Sequence, residues 1–298
     1  MSAETVLQFS KRLEKFKKQM LKNGAGGHPQ FILINMANTH DPAIGGGCVK
    51  DAKAVQQVFK NISAQTHYGF STIDIAGDHY NRKNLEDAIE AINSGSEEDV
   101  IIFYYTGHGF TYELDKRRKF PQIDLRAHGD KKKYNKIDFI NNHTENLSVI
   151  LQLMRLRGSR INIVIGDCCS SGIAFKRTDE SYADMARMND LLPPVNKRMT
   201  QKLFSSKNHT VSMLISASQR GQYAISDPKI GSIFTYHFTR LLAATLAKES
   251  KGGQYLHWQK ILNRASQQTF KISKTYDIGG GKPGHQEAIF DILVEKEG

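Results

Sequence analysis

Cysteine is scarce in this sequence. There are three in 298 residues, two of them adjacent, so no disulfide framework is expected. Such sparing use fits a reducing, cytoplasmic setting, where Cys169 would stay a free thiol. No apolar run approaches the ~20 residues that cross a bilayer, so no membrane span is expected. Residues Met1 to Val6 lack a basic region followed by an apolar core, so no signal peptide is expected. The 11 histidines and scattered acids show no zinc-ligand spacing, and no metal is assigned. Internal repeats and low-complexity tracts are missing. Gly279-Gly280-Gly281 with Pro283 lacks the strand before and the helix after that a phosphate cradle needs.

What is present is ordinary in bulk. Hydrophobic residues make up 39% and charged residues 24%, as in a globular protein, and the length allows one large α/β domain or two small ones. The net charge is +11. Its densest groups, Lys116–Lys119 and Lys131–Lys133, fall in loop-like sequence, which favours a solvated basic surface. A polyanion-binding or regulatory face is the alternative, and nucleic acid is not expected as a partner.

Apolar spacing divides the chain. Residues 1–22 carry Val6, Phe9, Leu13, Phe16 and Met20 on one helical face with lysines opposite. They read as an N-terminal extension (1–27) docked on the main domain (28–298), or as a helix for a membrane surface or partner. Strands are expected at Phe31–Ile34, Ser71–Ile75, Val100–Tyr105, Ile161–Ile165, Val211–Ile215 and Ala288–Val294. Helices are expected at Asp51–Ile62, Asn81–Asn93, Thr144–Arg157 (with Thr144 as N-cap), Ser232–Lys248 and Leu256–Phe270. This alternation predicts an α/β fold, a mostly parallel sheet flanked by helices on both faces. Residues 110–142 and 173–209 read as long loops, a length usually tied to function.

Two strand ends carry the chemistry. The first apolar run leads into Thr106-Gly107-His108-Gly109, the second into Gly166-Asp167-Cys168-Cys169-Ser170-Ser171-Gly172. Strand ends of an α/β sheet are where reacting groups gather. A cysteine nucleophile with a histidine base upstream fits this pattern. The glycines beside His108 would let backbone approach a substrate. The N–H groups of Gly109 and Cys169 are candidates for an oxyanion hole, in which one donor is worth about 2.7–4 kcal/mol in other hydrolases. Ser170 and Ser171 are expected to shape the turn, and Cys168 to be a small buried residue.

Together these motifs resemble the caspase-like peptidases, among them the metacaspases and bacterial caspase-family proteins. The resemblance spans roughly residues 28–294. It implies that Cys169, in Asp-x-Cys, is the nucleophile and His108 the base. Gly47-Cys48-Val49-Lys50-Asp51-Ala52 resembles a third segment of metacaspases, which implies that Asp51 and Asp167 line the primary specificity pocket. Thr106 stands where the family commonly has Ser in the same pocket, and Cys48 belongs to the same segment. Ser216–Ser218 and Gly231–Thr235 resemble the smaller C-terminal portion, which would be divided from the larger one within 173–209. Asp51 could instead be a charge favoured by the helix dipole.

Two carboxylates in a partly desolvated pocket favour a bound cation. A guanidinium can bond both in a fork, whereas Lys offers a point charge. The expected substrate is therefore a protein or peptide with Arg or Lys before the scissile bond. Lys176-Arg177 and Lys197-Arg198 are candidate self-cleavage sites after the nucleophile. Many metacaspases are activated by calcium, but Asp124, Asp130 and Asp138 are dispersed among lysines and Lys176 follows the nucleophile, so no cofactor is assigned. The rival reading is a catalytically silent caspase-like interaction module using its basic face. Peptide ligation through the same acyl-enzyme is a third.

Overall fold

The computed structural model describes residues 3–25, 27–111, 118–126, 133–170, 193–227, 229–249 and 251–296. Helix α1 (Ala3–Gly24) buries Phe9, Phe16 and Met20 and leaves Lys11, Lys15, Lys18 and Lys22 exposed. The amides of Gln19 and Asn23 both donate to the Phe70 carbonyl, each at 2.9 Å, fixing the helix to the sheet edge.

The chain then runs through β1 (Gln30–Ala37), α2 (Gly45–Ala64), β2 (Gly69–Ala76), α3 (Arg82–Glu90) and β3 (Val100–Gly107). Next come β4 (Gly109–Phe110), β5 (Gln122–Asp124), α4 (Lys136–His143), β6 (Thr144–Asn146), α5 (Leu147–Arg155) and β7 (Ile161–Cys168). The rest is α6 (Lys197–Phe204), β8 (His209–Ser216), β9 (Ser226–Asp227), β10 (Gly231–Ser232), α7 (Ile233–Ala247), α8 (Gln254–Ser273) and β11 (Ile289–Lys296).

Six strands form the main sheet in the order β11-β8-β7-β3-β1-β2. All neighbours are parallel except β11, which runs antiparallel to β8 at one edge. The alternation of strand and helix patterns foretold this α/β architecture. Strands β1, β3 and β7 are buried at every position, which is why each reads as a continuous apolar run. Successive side chains still go to opposite faces. Phe31 and Leu33 join Val55, Phe59, Phe234, Phe238 and Trp258 in the core under α2, α6, α7 and α8. Ile32, Ile34 and Met36 join Phe16, Leu85, Ile89, Ile150 and Met154 under α1, α3 and α5.

Three expectations need correction. The helix expected from Thr144 starts at Leu147. Residues Thr144–Asn146 are extended and pair with β5, and Asn146 supplies the cap by accepting from the Ser148 N–H. Strand pairing, a long-range contact, overrides the local capping signal here. Residues 110–142 are not all loop, since β5 and α4 lie within them. The segment 173–209 contains α6, which buries Met199, Leu203 and Phe204 and is capped by Asn196. Lys197 and Arg198 therefore stand in the first turn of a helix and not in a loop. Lys176, Arg177 and Ser171 lie outside the described residues.

Candidate active site

Parallel pairing sets the positions of the two motifs. Gly107 is opposite Cys168 in the β3–β7 register, so His108 and Cys169 are the next residues on neighbouring strands, both at C-terminal ends. The carbonyl of His108 is pinned twice. It accepts from the Tyr105 hydroxyl at 2.6 Å and from the Asp124 N–H at 3.0 Å, while Tyr105 and Tyr80 share a hydroxyl–hydroxyl bond of 2.8 Å.

The glycines flanking His108 have a reason different from the one expected. A β-carbon on Gly107 would lie 2.6 Å from the Tyr105 hydroxyl, and one on Gly109 would lie 2.5 Å from Cys168 Sγ and 2.6 Å from the Cys169 carbonyl. Close packing within the protein itself demands both. Opposed residues of an antiparallel pair alternate between bonded and non-bonded positions. His108 and Asp124 form a bonded pair, so Gly109, opposite Ile123, is in a non-bonded one. Its N–H turns away from β5.

Cys168 is buried in the core, and burial pushes its thiol well up. Cys169 is half-buried and free. Its Sγ accepts from the Ala224 N–H at 3.4 Å. Burial raises its thiol, against the lowering effect of that N–H. The turn behind it is tied down: Ser218 Oγ donates to the Cys168 carbonyl, Ser170 N–H to Gln222 O, and Gly221 N–H and Thr111 Oγ1 to Ser170 O. These bonds use the backbone of Ser170, whose buried Oγ has no hydrogen-bond partner among the described residues.

His108 is 35% exposed, and its Nε2 lies 2.9 Å from Asp41 Oδ2. No hydrogen bond joins it to Cys169 among the described residues. Reading the sequence missed Asp41. Its signal was present: an Asp-Pro turn directly before a helix, a place where a side-chain oxygen caps free N–H groups. Oδ1 does this, accepting from Ala43 N–H at 2.8 Å and Ile44 N–H at 3.0 Å. Burial pushes the Asp41 carboxyl up, but the bonds from Ile44, His108 and Ala43 outweigh it and hold it below its usual range.

Asp51 and Asp167 meet beneath these strand ends, 2% and 3% exposed. Asp51 sits in the second turn of α2, beyond the reach of a first-turn dipole effect. Its Oδ1 accepts from Ser232 N–H at 2.7 Å and its Oδ2 from Thr106 Oγ1 at 3.1 Å. Thr106 stands opposite Asp167 in register, and its Oγ1 is 3.5 Å from Cys48 Sγ. Asp167 Oδ2 accepts from the N–H and hydroxyl of Thr235, and the Ser232 hydroxyl lies near enough to lower its pKa, while its buried Oδ1 makes no well-formed hydrogen bond among the described residues. Burial, and then the Asp167 charge, push Asp51 well up. Burial likewise pushes Asp167 to about 6, and Cys48 to about 12. Ser232 and Thr235 were noticed in the sequence only as part of a resembling segment, not as partners of these acids.

One connection, between β8 and α7, serves both centres. It presents Ala224 to Cys169 and Ser232 to Asp51, and β9 and β10 pair within it. A β-carbon on Gly47 would overlap Ser226 Oγ, so this hairpin lies directly on α2.

The side chains of the other candidate residues are engaged elsewhere. Arg198 is exposed, 3.8 Å from Glu249. Asp124 forks onto Arg126, and Asp138 takes the Asn142 amide. Among the described residues, no three His, Cys, Asp or Glu side chains cluster as metal ligands. No helix there is long and apolar enough to cross a membrane.

No curated protein matches the sequence. A solved structure of caspase-1 from Spodoptera frugiperda aligns with 89% of this chain and 88% of its own, at 9% identity and a TM-score of 0.49. The profile of the caspase domain matches residues 32–283, from β1 almost to β11. On that match, which covers most of the chain, the protein belongs to the caspase-domain family of cysteine peptidases.

Proposed function

We propose that the protein is a cysteine endopeptidase that cleaves after Arg or Lys. The observation that carries this reading is one juxtaposition: a free thiol and an imidazole at adjacent strand ends, with two buried carboxylates just below them, Asp51 bonded to Thr106 and Asp167 opposite Thr106 in register. Burial of two like charges this close is costly, and such pairs cluster where a ligand's charge is to be met.

In this reading His108 takes the proton of Cys169 as Sγ attacks the substrate carbonyl carbon. The raised thiol favours proton transfer during attack over a standing thiolate–imidazolium pair. The N–H groups of Gly109 and Cys169 hold the oxyanion, and the orientation of Gly109 away from β5 suits that use. The imidazolium then gives its proton to the leaving amine, and water releases the acyl group from sulfur. Asp51 and Asp167 take the substrate cation, with Thr106 and Cys48 beside them. Cleavage of the chain itself after Arg198 would need the first turn of α6 to unwind, because a helical peptide bond is closed to an extended cleft.

The test is turnover of matched fluorogenic peptides ending in Arg, Lys or Asp, by the full chain and by Cys169→Ala. Arg and Lys turnover lost in the variant supports nucleophile and pocket together. Asp turnover would keep the peptidase and discard the acidic pocket. Turnover unchanged in Cys169→Ala would remove the nucleophile. Absence of turnover, with or without calcium, would favour the silent interaction module.

A further inference from the structure

Strands β7, β3 and β1 are consecutive in the sheet. Ala37 stands opposite Thr106, and Asn38 N–H continues the pairing by donating to the Thr106 carbonyl. The three C-terminal ends thus deliver Cys169, His108 and Asp41 in spatial order. We infer that Asp41 is a positioning residue for His108, one that fixes the proton on Nε2 and leaves Nδ1 as the nitrogen that takes the thiol proton. The inference rests on the peptidase reading for its consequence, but not for its geometry.

The chemistry of the pair dictates the direction. A carboxylate only accepts hydrogen bonds, and Asp41 is held ionised by the N–H groups of Ala43 and Ile44. Nε2 must therefore be the donor, and neutral imidazole then has its lone pair on Nδ1. Nδ1 makes no hydrogen bond among the described residues. With the His108 carbonyl pinned by Tyr105 and Asp124, both the ring's anchor and its tautomer are set before a substrate arrives. The proton path is unchanged: from Cys169 Sγ to Nδ1, then from Nδ1 to the leaving amine.

A purely structural role is separable, because Asp41 Oδ1 also holds the turn before α2 through the Ala43 and Ile44 N–H groups. In Asp41→Asn the side-chain carbonyl oxygen can keep both bonds, since Asn forms such turns as Asp does. The amide nitrogen then faces Nε2 and can only donate, which forces the imidazole proton onto Nδ1, the wrong tautomer for a base there. The experiment joins two readouts. The first is the His108 ring tautomer from ¹⁵N shifts in full-length Cys169→Ala protein, with and without Asp41→Asn, assigned by loss of the signal in His108→Gln. The second is steady-state kinetics of Asp41→Asn in the otherwise wild-type chain. We expect Nε2–H to give way to Nδ1–H. We also expect kcat on an Arg peptide to fall about 100-fold, KM to stay within about twofold, and the thermal midpoint to be retained. An unchanged tautomer, or a switched tautomer with unchanged kcat, would overturn the inference, as would loss of folding accompanied by an equal loss of activity. A switched tautomer in a protein whose wild type cleaves nothing would remove the peptidase reading and leave the orientation standing.

Discussion

Gly231 and Asp51 touch so closely that no side chain fits between them. A β-carbon on Gly231 would overlap Asp51 Oδ1, and the residue's φ of +83° is one that favours glycine. Gly231→Ala is therefore expected to destabilise the fold by about 1–3 kcal/mol. It should also raise KM for Arg peptides more than it lowers kcat, because the damage falls on the carboxylate and not on the thiol. Chemical denaturation and steady-state kinetics check this. A neutral Gly231→Ala would mean that the contact is easily relieved.

The acidic pair predicts an unusual pH dependence. The folded pKa of Asp167, about 6, lies above its ordinary value of 3.8. The folded state thus binds this proton more tightly than the unfolded chain does. The stability it contributes is complete below pH ~3.8 and lost as pH rises through ~6, an effect on the order of 1–3 kcal/mol. Asp41 works in the opposite sense, losing its contribution as pH falls. The informative quantity is therefore the difference between wild type and Asp167→Asn. Denaturation at pH 4.5 and 7.5 should find the variant more stable than wild type only at the higher pH. Turnover of Arg peptides should rise as pH increases through about 6, where the pair loses its first proton and gains the negative charge that a cation needs.

The three thiols should react in a fixed order. Cys169 is the most exposed and should be alkylated first by iodoacetamide under native conditions, slowly at pH 7 and faster above pH 9 because burial raises its thiol. Cys48 and Cys168 are buried and should react only on unfolding. Peptide mapping by mass spectrometry measures this. Native labelling of Cys168 before Cys169 would contradict the burial pattern.

Tyr105→Phe removes the hydroxyl that bonds the His108 carbonyl and leaves Tyr80 with the Asp124 carbonyl as its remaining partner. A cost of about 1–3 kcal/mol is expected. If that hydroxyl also steadies His108, kcat should fall while KM holds. A stability loss with untouched kcat would assign Tyr105 to the fold alone.

The sheet was legible because β1, β3 and β7 lie buried on both faces and so are apolar throughout. The same strands made the two motifs stand out, since Thr106–Gly109 and Gly166–Cys169 span their C-terminal ends. Asp51 and Asp167 came only through resemblance, and the structure supplies their physical setting. What stayed hidden depends on contacts distant in sequence. Asp41 looks like any acid in a turn until β1 and β3 are adjacent, and Asn146 takes the cap from Thr144 only because β6 pairs with β5. Helix α6 escaped notice because its polar face and flanking lysines dominate a short segment, while its three large apolar residues find their places only against α7 and α8.

The connection from β8 to α7 has a thermodynamic consequence. It grips the thiol through Ala224 and the carboxylate through Ser232, and it is braced by Tyr276 on Asp227 and by Gln286 on Ile225. On the proposed reading, a ligand at the acidic pair that displaces Ser232 and a change at the thiol that displaces Ala224 act on the same connection. Whatever coupling it carries is reciprocal, each event altering the free energy of the other by the same amount.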